Sequence, residues 1–120
     1  MPAYTVSYYA ALSGEQPVKK FLSKLNAKAR SKCYEYVDML KGHGLSLQRS
    51  HLAKVESGLW ELRPEWQGVE YRLLFTSHEN RFIMVHALVK KSDKLKPRDI
   101  ETARRRAREV AEYYASFTNR

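Results

Sequence analysis

A change of hydrophobic period along the chain constrains its fold more than any other feature. Between Val18 and Leu40 apolar side chains recur at steps of three and four. Between Leu59 and Val89 they alternate or run together, and from Ile100 to Phe117 the longer step returns. The long step is that of a helix with one buried face and the short step that of a strand. A chain that groups its strands and places helices before and after them folds as α+β, with helices packed on an antiparallel sheet.

Punctuation residues mark the elements. Tyr4-Thr5-Val6-Ser7-Tyr8 is β-branched and aromatic and reads as a first strand. Pro17 suits the first position of a helix, where its missing N–H costs nothing, and Val18, Phe21, Leu22 and Leu25 follow on one face. Asn26 caps a second helix with Ala29, Cys33, Tyr36, Val37 and Leu40 inward, ending at Gly42-His43-Gly44. Residues 45–57 show no period and are expected to be loop. Leu59–Arg63 is a strand, Pro64–Gly68 a turn, and Val69–Thr76 a strand whose Glu70/Arg72 face is the wetter one. Ser77–Asn80 is a hairpin connection, and Phe82–Val89 is a strand covered on both faces. Pro97 opens a terminal helix with Ile100, Ala103, Ala107, Val110, Tyr114 and Phe117 inward, and the last three residues are expected to fray. The expected architecture is an N-terminal strand, a two-helix hairpin, an antiparallel sheet of three further strands and a C-terminal helix. Residues 1–120 then form a single domain, as expected for 120 residues.

Charge narrows the function. Twenty-two Lys and Arg oppose thirteen Asp and Glu, a formal charge of +9, which suits a polyanionic partner: nucleic acid, an acidic protein or an anionic membrane. From Lys90 to Arg108 nine basic residues face three acids. Arg104, Arg105, Arg106 and Arg108 read as a solvated helix face. Lys90 and Lys91 end an apolar strand, as a solubilising terminus or as functional cations. The single Cys33 can form no internal disulfide and sits on an apolar stripe, where it reads as a small hydrophobe. Met1–Val6 shows no secretion signal, and no apolar run is long enough to span a bilayer, so a cytoplasmic protein without membrane contact is expected.

His43, His51, His78 and His86 lack metal-ligand spacing and no phosphate-binding glycine loop is present, so no metal and no cofactor is expected. What remains is a set of Arg, Lys and possible His side chains on a sheet. RNA brings its own nucleophile, the ribose 2′-hydroxyl, so such a set needs only to position the next phosphate, neutralise its developing charge and assist two proton transfers. Arg72 is the sharpest candidate, its alternative being an ion pair with an acid such as Glu70. Arg63 precedes Pro64 at a strand end and either binds phosphate or faces solvent. His86 lies on the Lys90 side of its strand and reads first as a core residue, second as a proton carrier.

Three segments in order, Gly58-Leu59-Trp60-Glu61-Leu62-Arg63-Pro64, Tyr71-Arg72-Leu73-Leu74-Phe75 and His86-Ala87-Leu88-Val89-Lys90-Lys91, resemble the RelE/ParE toxin superfamily. With the Pro17–Leu25 and Pro97–Ala103 segments, they look most like its HigB-like, phage-derived host-inhibition branch. The resemblance covers residues 4–112. It implies a RelE/ParE-like fold and a type II toxin held by a cognate antitoxin, often a helix-turn-helix DNA-binding protein, that cleaves mRNA on the ribosome. It places Arg72 as the catalytic arginine, Arg63 on the Leu-Arg strand, and Lys90 and Lys91 at the basic strand end. Lys94, Lys96 and Arg98 are the expected RNA contacts. The lysines that RelE-type sites carry on the strand of Leu59 and Glu61 are absent here, as is a tyrosine between Lys90 and Ala111, which leaves His86 and Lys90 as candidates for the general base. Two other readings stay open: a ParE-like, non-enzymatic inhibitor of DNA gyrase, and an RNA- or antitoxin-binding protein without catalysis.

Overall fold

The computed structural model describes residues 3–118, and part of the expected terminal fraying concerns residues 119–120, which lie outside them. The strands are β1 (Thr5–Tyr8), β2 (Leu52–Glu56), β3 (Leu59–Leu62), β4 (Glu65–Trp66), β5 (Val69–His78) and β6 (Arg81–Val89). The helices are α1 (Pro17–Ser23), α2 (Ala27–His43) and α3 (Pro97–Thr118). The fold is α+β. Its sheet runs in the order β1-β6-β5-β3-β2, with the two-residue β4 folded back onto β5.

Helices cover both faces. Val18 and Leu22 of α1 and Ala29, Cys33, Val37 and Leu40 of α2 pack on Leu62, Leu73, Phe75, Phe82 and Met84. On the opposite face Ala103 and Val110 of α3 pack on Leu59, Leu74, Ile83 and Val85. This three-layer arrangement explains why the middle of β5 and of β6 is buried on successive residues. It also overturns the expected wetter face of β5, because α3 and the loop leading to it cover that side.

Two elements differ from expectation. Residues 45–57 contain strand β2, antiparallel to β3, with a register shift between Lys54 and Glu56. The bulge turns Val55 and Glu56 to the same face, which erases the alternation that would have marked a strand. β1 joins the sheet in parallel, Thr5 opposite Arg81 and Tyr8 opposite Met84, so the sheet is mixed rather than purely antiparallel. Phe117, expected inward, is exposed toward the end of α3 and packs edge-on against Tyr113.

The local signals account for the remaining boundaries. Pro17 opens α1, and the Asn26 side chain accepts a 2.9 Å hydrogen bond from the Ala29 N–H at the start of α2, a cap that stabilises a helix by roughly 1 kcal/mol. Gln67 and Gly68 both take positive φ, as the tight turn between β4 and β5 requires. Among the described residues no helix is long and apolar enough to cross a membrane.

Gly44 ends α2 at φ 59°, and a Cβ there would come within 2.5 Å of the Tyr4 ring, which itself packs on Phe82. Gly44→Ala is expected to destabilise the fold by roughly 2 kcal/mol or more in urea unfolding. Cys33 is fully buried, and burial pushes its thiol up to about 11. In the native protein it is expected to resist a thiol-specific disulfide reagent at pH 8 and to react at once in denaturant; rapid native labelling would contradict this packing.

Candidate active site

Strand alternation brings the basic residues together. Glu61 on β3 and Arg63 just beyond it share a face. Glu70 and Arg72 on β5 share the same face, and Lys90 follows β6 on that side. The Lys90 N–H donates to the Glu70 carbonyl at 2.8 Å, and the Tyr71 N–H donates to the Pro64 carbonyl at 2.8 Å, so main-chain bonds hold these strand ends side by side. Glu61, Arg63, Arg72 and Lys90, with Ser92, Asp93 and Leu95 of the following loop, line a cavity of about 20 Å³.

Arg72 is at its centre and is only 2% exposed. Its Nη1 donates to the Tyr71 carbonyl at 2.8 Å and its Nη2 to Glu70 Oε1 at 3.0 Å, while its Nε lies 3.7 Å from Glu61 Oε2. The ion pair with Glu70 is therefore present, in the same arrangement that places the guanidinium at the cavity. Lys90 Nζ approaches Glu70 Oε1 at 3.7 Å, so one carboxylate bridges both cations. Its hydrogen bond from Arg72 holds the Glu70 carboxyl below its ordinary range, with Lys90 adding to the effect. Arg63 is tied to the Arg49 carbonyl at 2.9 Å and lies 3.6 Å from Glu61 Oε1.

The other candidates are distributed differently. Lys91, Lys94 and Lys96 line a neighbouring depression of about 160 Å³ together with Lys90 and Asp99. Arg98 faces away from it, into a groove on the outside of α3 with Arg104, Arg105 and Arg108. His86 is on the Lys90 side of β6, but its Nε2 is 2.7 Å from Asp99 Oδ1 and its Nδ1 3.4 Å from Arg106 Nη1. It fastens the first turn of α3 to the sheet and does not line the Arg72 cavity. The supposed solvated face of α3 is divided in the same way. Arg104 makes a two-pronged pair with Glu56, whereas Arg106 turns inward, donating to the Val85 carbonyl at 2.8 Å and lying over the Tyr9 ring.

Glu61 is the residue that sequence reasoning passed over. It is 8% exposed, and its Oε2 accepts no hydrogen bond. Burial raises its carboxyl above the ordinary range, against the opposing pull of Arg72, Arg63 and Lys90. The signal was its inward parity with Arg63: a carboxylate pointing into a covered sheet requires a cation opposite. Removing that cation tests the pairing. Arg72→Ala is expected to cost about 3 kcal/mol in urea unfolding, since it strands a buried charge. Adding Glu61→Gln to that variant should recover a large part of the loss, and strictly additive losses would show that the two groups are not coupled.

No curated protein matches the chain. Residues 20–108 match the family of phage-derived Gp49-like proteins (DUF891), which lies within the RelE/HigB-like toxin superfamily and whose members are commonly toxins of toxin–antitoxin systems. The match covers well over half of the chain and takes in every residue of the Arg72 cavity, and the chain belongs to the Gp49-like family.

Proposed function

We propose that this protein is the toxin of a type II toxin–antitoxin system, of the HigB-like kind, and that it inhibits translation by cutting mRNA on the ribosome. The observation that carries the reading is the convergence of Arg63, Arg72 and Lys90 on one cavity at a single sheet end. Three cations converging on one cavity suit one backbone phosphate, and the lysines of the adjoining depression suit its neighbours. The partners are an antitoxin, of the helix-turn-helix class that the resemblance suggests, and ribosome-bound mRNA, both in the cytoplasm.

The chemistry follows from the groups present. The 2′-oxygen attacks the adjacent phosphorus in line, the bond to the 5′-oxygen breaks, and the products are a 2′,3′-cyclic phosphate and a 5′-hydroxyl. Arg72, with its planar fork, neutralises charge growing on the phosphoryl oxygens, and Arg63 assists it. Lys90 gives a proton to the leaving 5′-oxygen, and Lys91 holds the flanking backbone. Glu70 occupies the Arg72–Lys90 gap in the free protein and must yield to the phosphate; at 45% side-chain exposure it has room to swing outward.

Transcript ends mapped in a reconstituted translation system test this. Cleavage is expected with ribosomes and not without them, leaving cyclic-phosphate ends. Arg72→Lys, which keeps a cation beside Glu61, is expected to slow the cut by roughly 100-fold. Intact mRNA in the presence of ribosomes would overturn the proposal, and double-strand breaks accumulating at gyrase sites would favour the binding mode of ParE-like proteins.

A further inference from the structure

We infer that Glu61 is the general base of this site, the group that takes the proton from the attacking 2′-hydroxyl. The inference rests on the nuclease reading above and supplies the proton acceptor which that reading lacks.

The two basic candidates suggested by the sequence are committed elsewhere. His86 has one ring nitrogen 2.7 Å from Asp99 and the other 3.4 Å from Arg106, and it stands outside the cavity. Lys90 Nζ lies 3.7 Å from Glu70 Oε1, an ion-pair position that suits a proton donor and not an acceptor. Glu61 has the opposite character. Its carboxylate lines the cavity, and its Oε2 is buried without a hydrogen-bond donor. A buried carboxylate oxygen without a donor is costly in a folded protein and is expected to have a partner in some working state. The space beside it, about 20 Å³, is enough for one hydroxyl-sized group. Arg72 Nε, 3.7 Å away, steadies the carboxylate and sits where it can also meet the phosphate, so acceptor and electrophile are held by one guanidinium.

The proton balance closes with residues of the cavity. As the 2′-oxygen bonds to phosphorus, its proton passes to Glu61 Oε2. The electron pair of the broken bond leaves with the 5′-oxygen, which takes a proton from the Lys90 ammonium. Glu61 then releases its proton to water and Lys90 regains one. The charged groups facing Glu61 are Arg63 beyond its own strand, Arg72 and, beyond it, Glu70 on β5, Lys90 after β6, and Asp93 in the covering loop. The nearest are the cations, which favour the ionised carboxylate, while burial raises it above the ordinary range and so makes it a stronger base than an exposed glutamate.

The test is single-turnover cleavage of mRNA on programmed ribosomes, followed from about pH 5 to 9, by wild type, Glu61→Gln and Glu61→Asp. The wild-type rate should fall on the acid side as Glu61 protonates. Glu61→Gln should be slower by roughly 100-fold or more and should lose that acid limb. Its binding to ribosomes carrying an mRNA with a 2′-deoxy nucleotide at the cut should stay within about threefold of wild type, because a uniform binding loss is the mark of a structural role. Glu61→Asp, which keeps a carboxylate, should recover part of the rate and the acid limb. A Glu61→Gln protein that cuts at the wild-type rate, or that keeps the acid limb, overturns the inference while leaving the nuclease standing. A wild type that makes no cut overturns the nuclease reading itself.

Discussion

The Arg72 guanidinium lies between a carboxylate on the neighbouring strand and one on its own, beneath a layer of helix and loop. Few single contacts in this protein carry as much structural consequence. Burying an ion pair is expensive unless both charges find partners, and Arg72 is met by Glu61, by Glu70 and by a main-chain carbonyl. Glu61 is met less completely, with one oxygen receiving no hydrogen bond. The cluster is therefore held in place while retaining unspent capacity at one atom, an arrangement more in keeping with a working site than with a stabilising brace.

The rest of the molecule positions that cluster. α1 and α2 cover one face of the sheet with aliphatic side chains and leave β3, β5 and β6 as a stiff platform. α3 closes the other face and is fastened near its start by the His86–Asp99 contact and further along by Arg104 to Glu56 and Arg106 to the Val85 carbonyl. The register shift that skips Val85 turns that residue and His86 toward α3 together, so the bulge supplies an apolar contact and a polar fastening at one level of the strand. Two of the three cations of the site, Arg63 and Lys90, directly follow the ends of β3 and β6, while Arg72 comes from within β5 and is buried, where the ladder constrains its backbone.

Much of this was readable beforehand, and the failures have physical causes. Long periodic segments showed themselves: Val18 to Leu40 as two helices, Phe82 to Val89 as a strand buried on both faces, Pro97 onward as a helix. The sequence put Arg63 and Arg72 on neighbouring strands of one sheet and His86 on the Lys90 side of its strand, whereas the shared cavity of Arg63, Arg72 and Lys90 emerges only from the folded structure. β2 was missed because it is a short edge strand whose bulge breaks alternation. The burial of Arg72 was missed because polar residues at Glu70, Arg72 and Thr76 look solvated when strands are read singly; whether a helix covers them is decided by tertiary packing. Glu61 looked like an ordinary polar position for the same reason, its significance lying in a partner eleven residues away on another strand. The role of His86 was legible only in its orientation, since Asp99 and Arg106 approach it from a helix that its own strand does not specify.

The parallel pairing of β1 with β6 has a consequence for biosynthesis. Thr5 finds its partner in Arg81, far along the chain, so β1 waits during translation for β6, the last strand of this sheet in chain order. Contacts of such long range carry a large loop-closure cost and form late. A polypeptide arrested before β6 would lack the strand that bridges β1 to β5 and leads into the Lys90 end of the cavity. Copies arrested there are left without a continuous sheet, and the Arg72 cavity cannot close until β6 and Lys90 have been made.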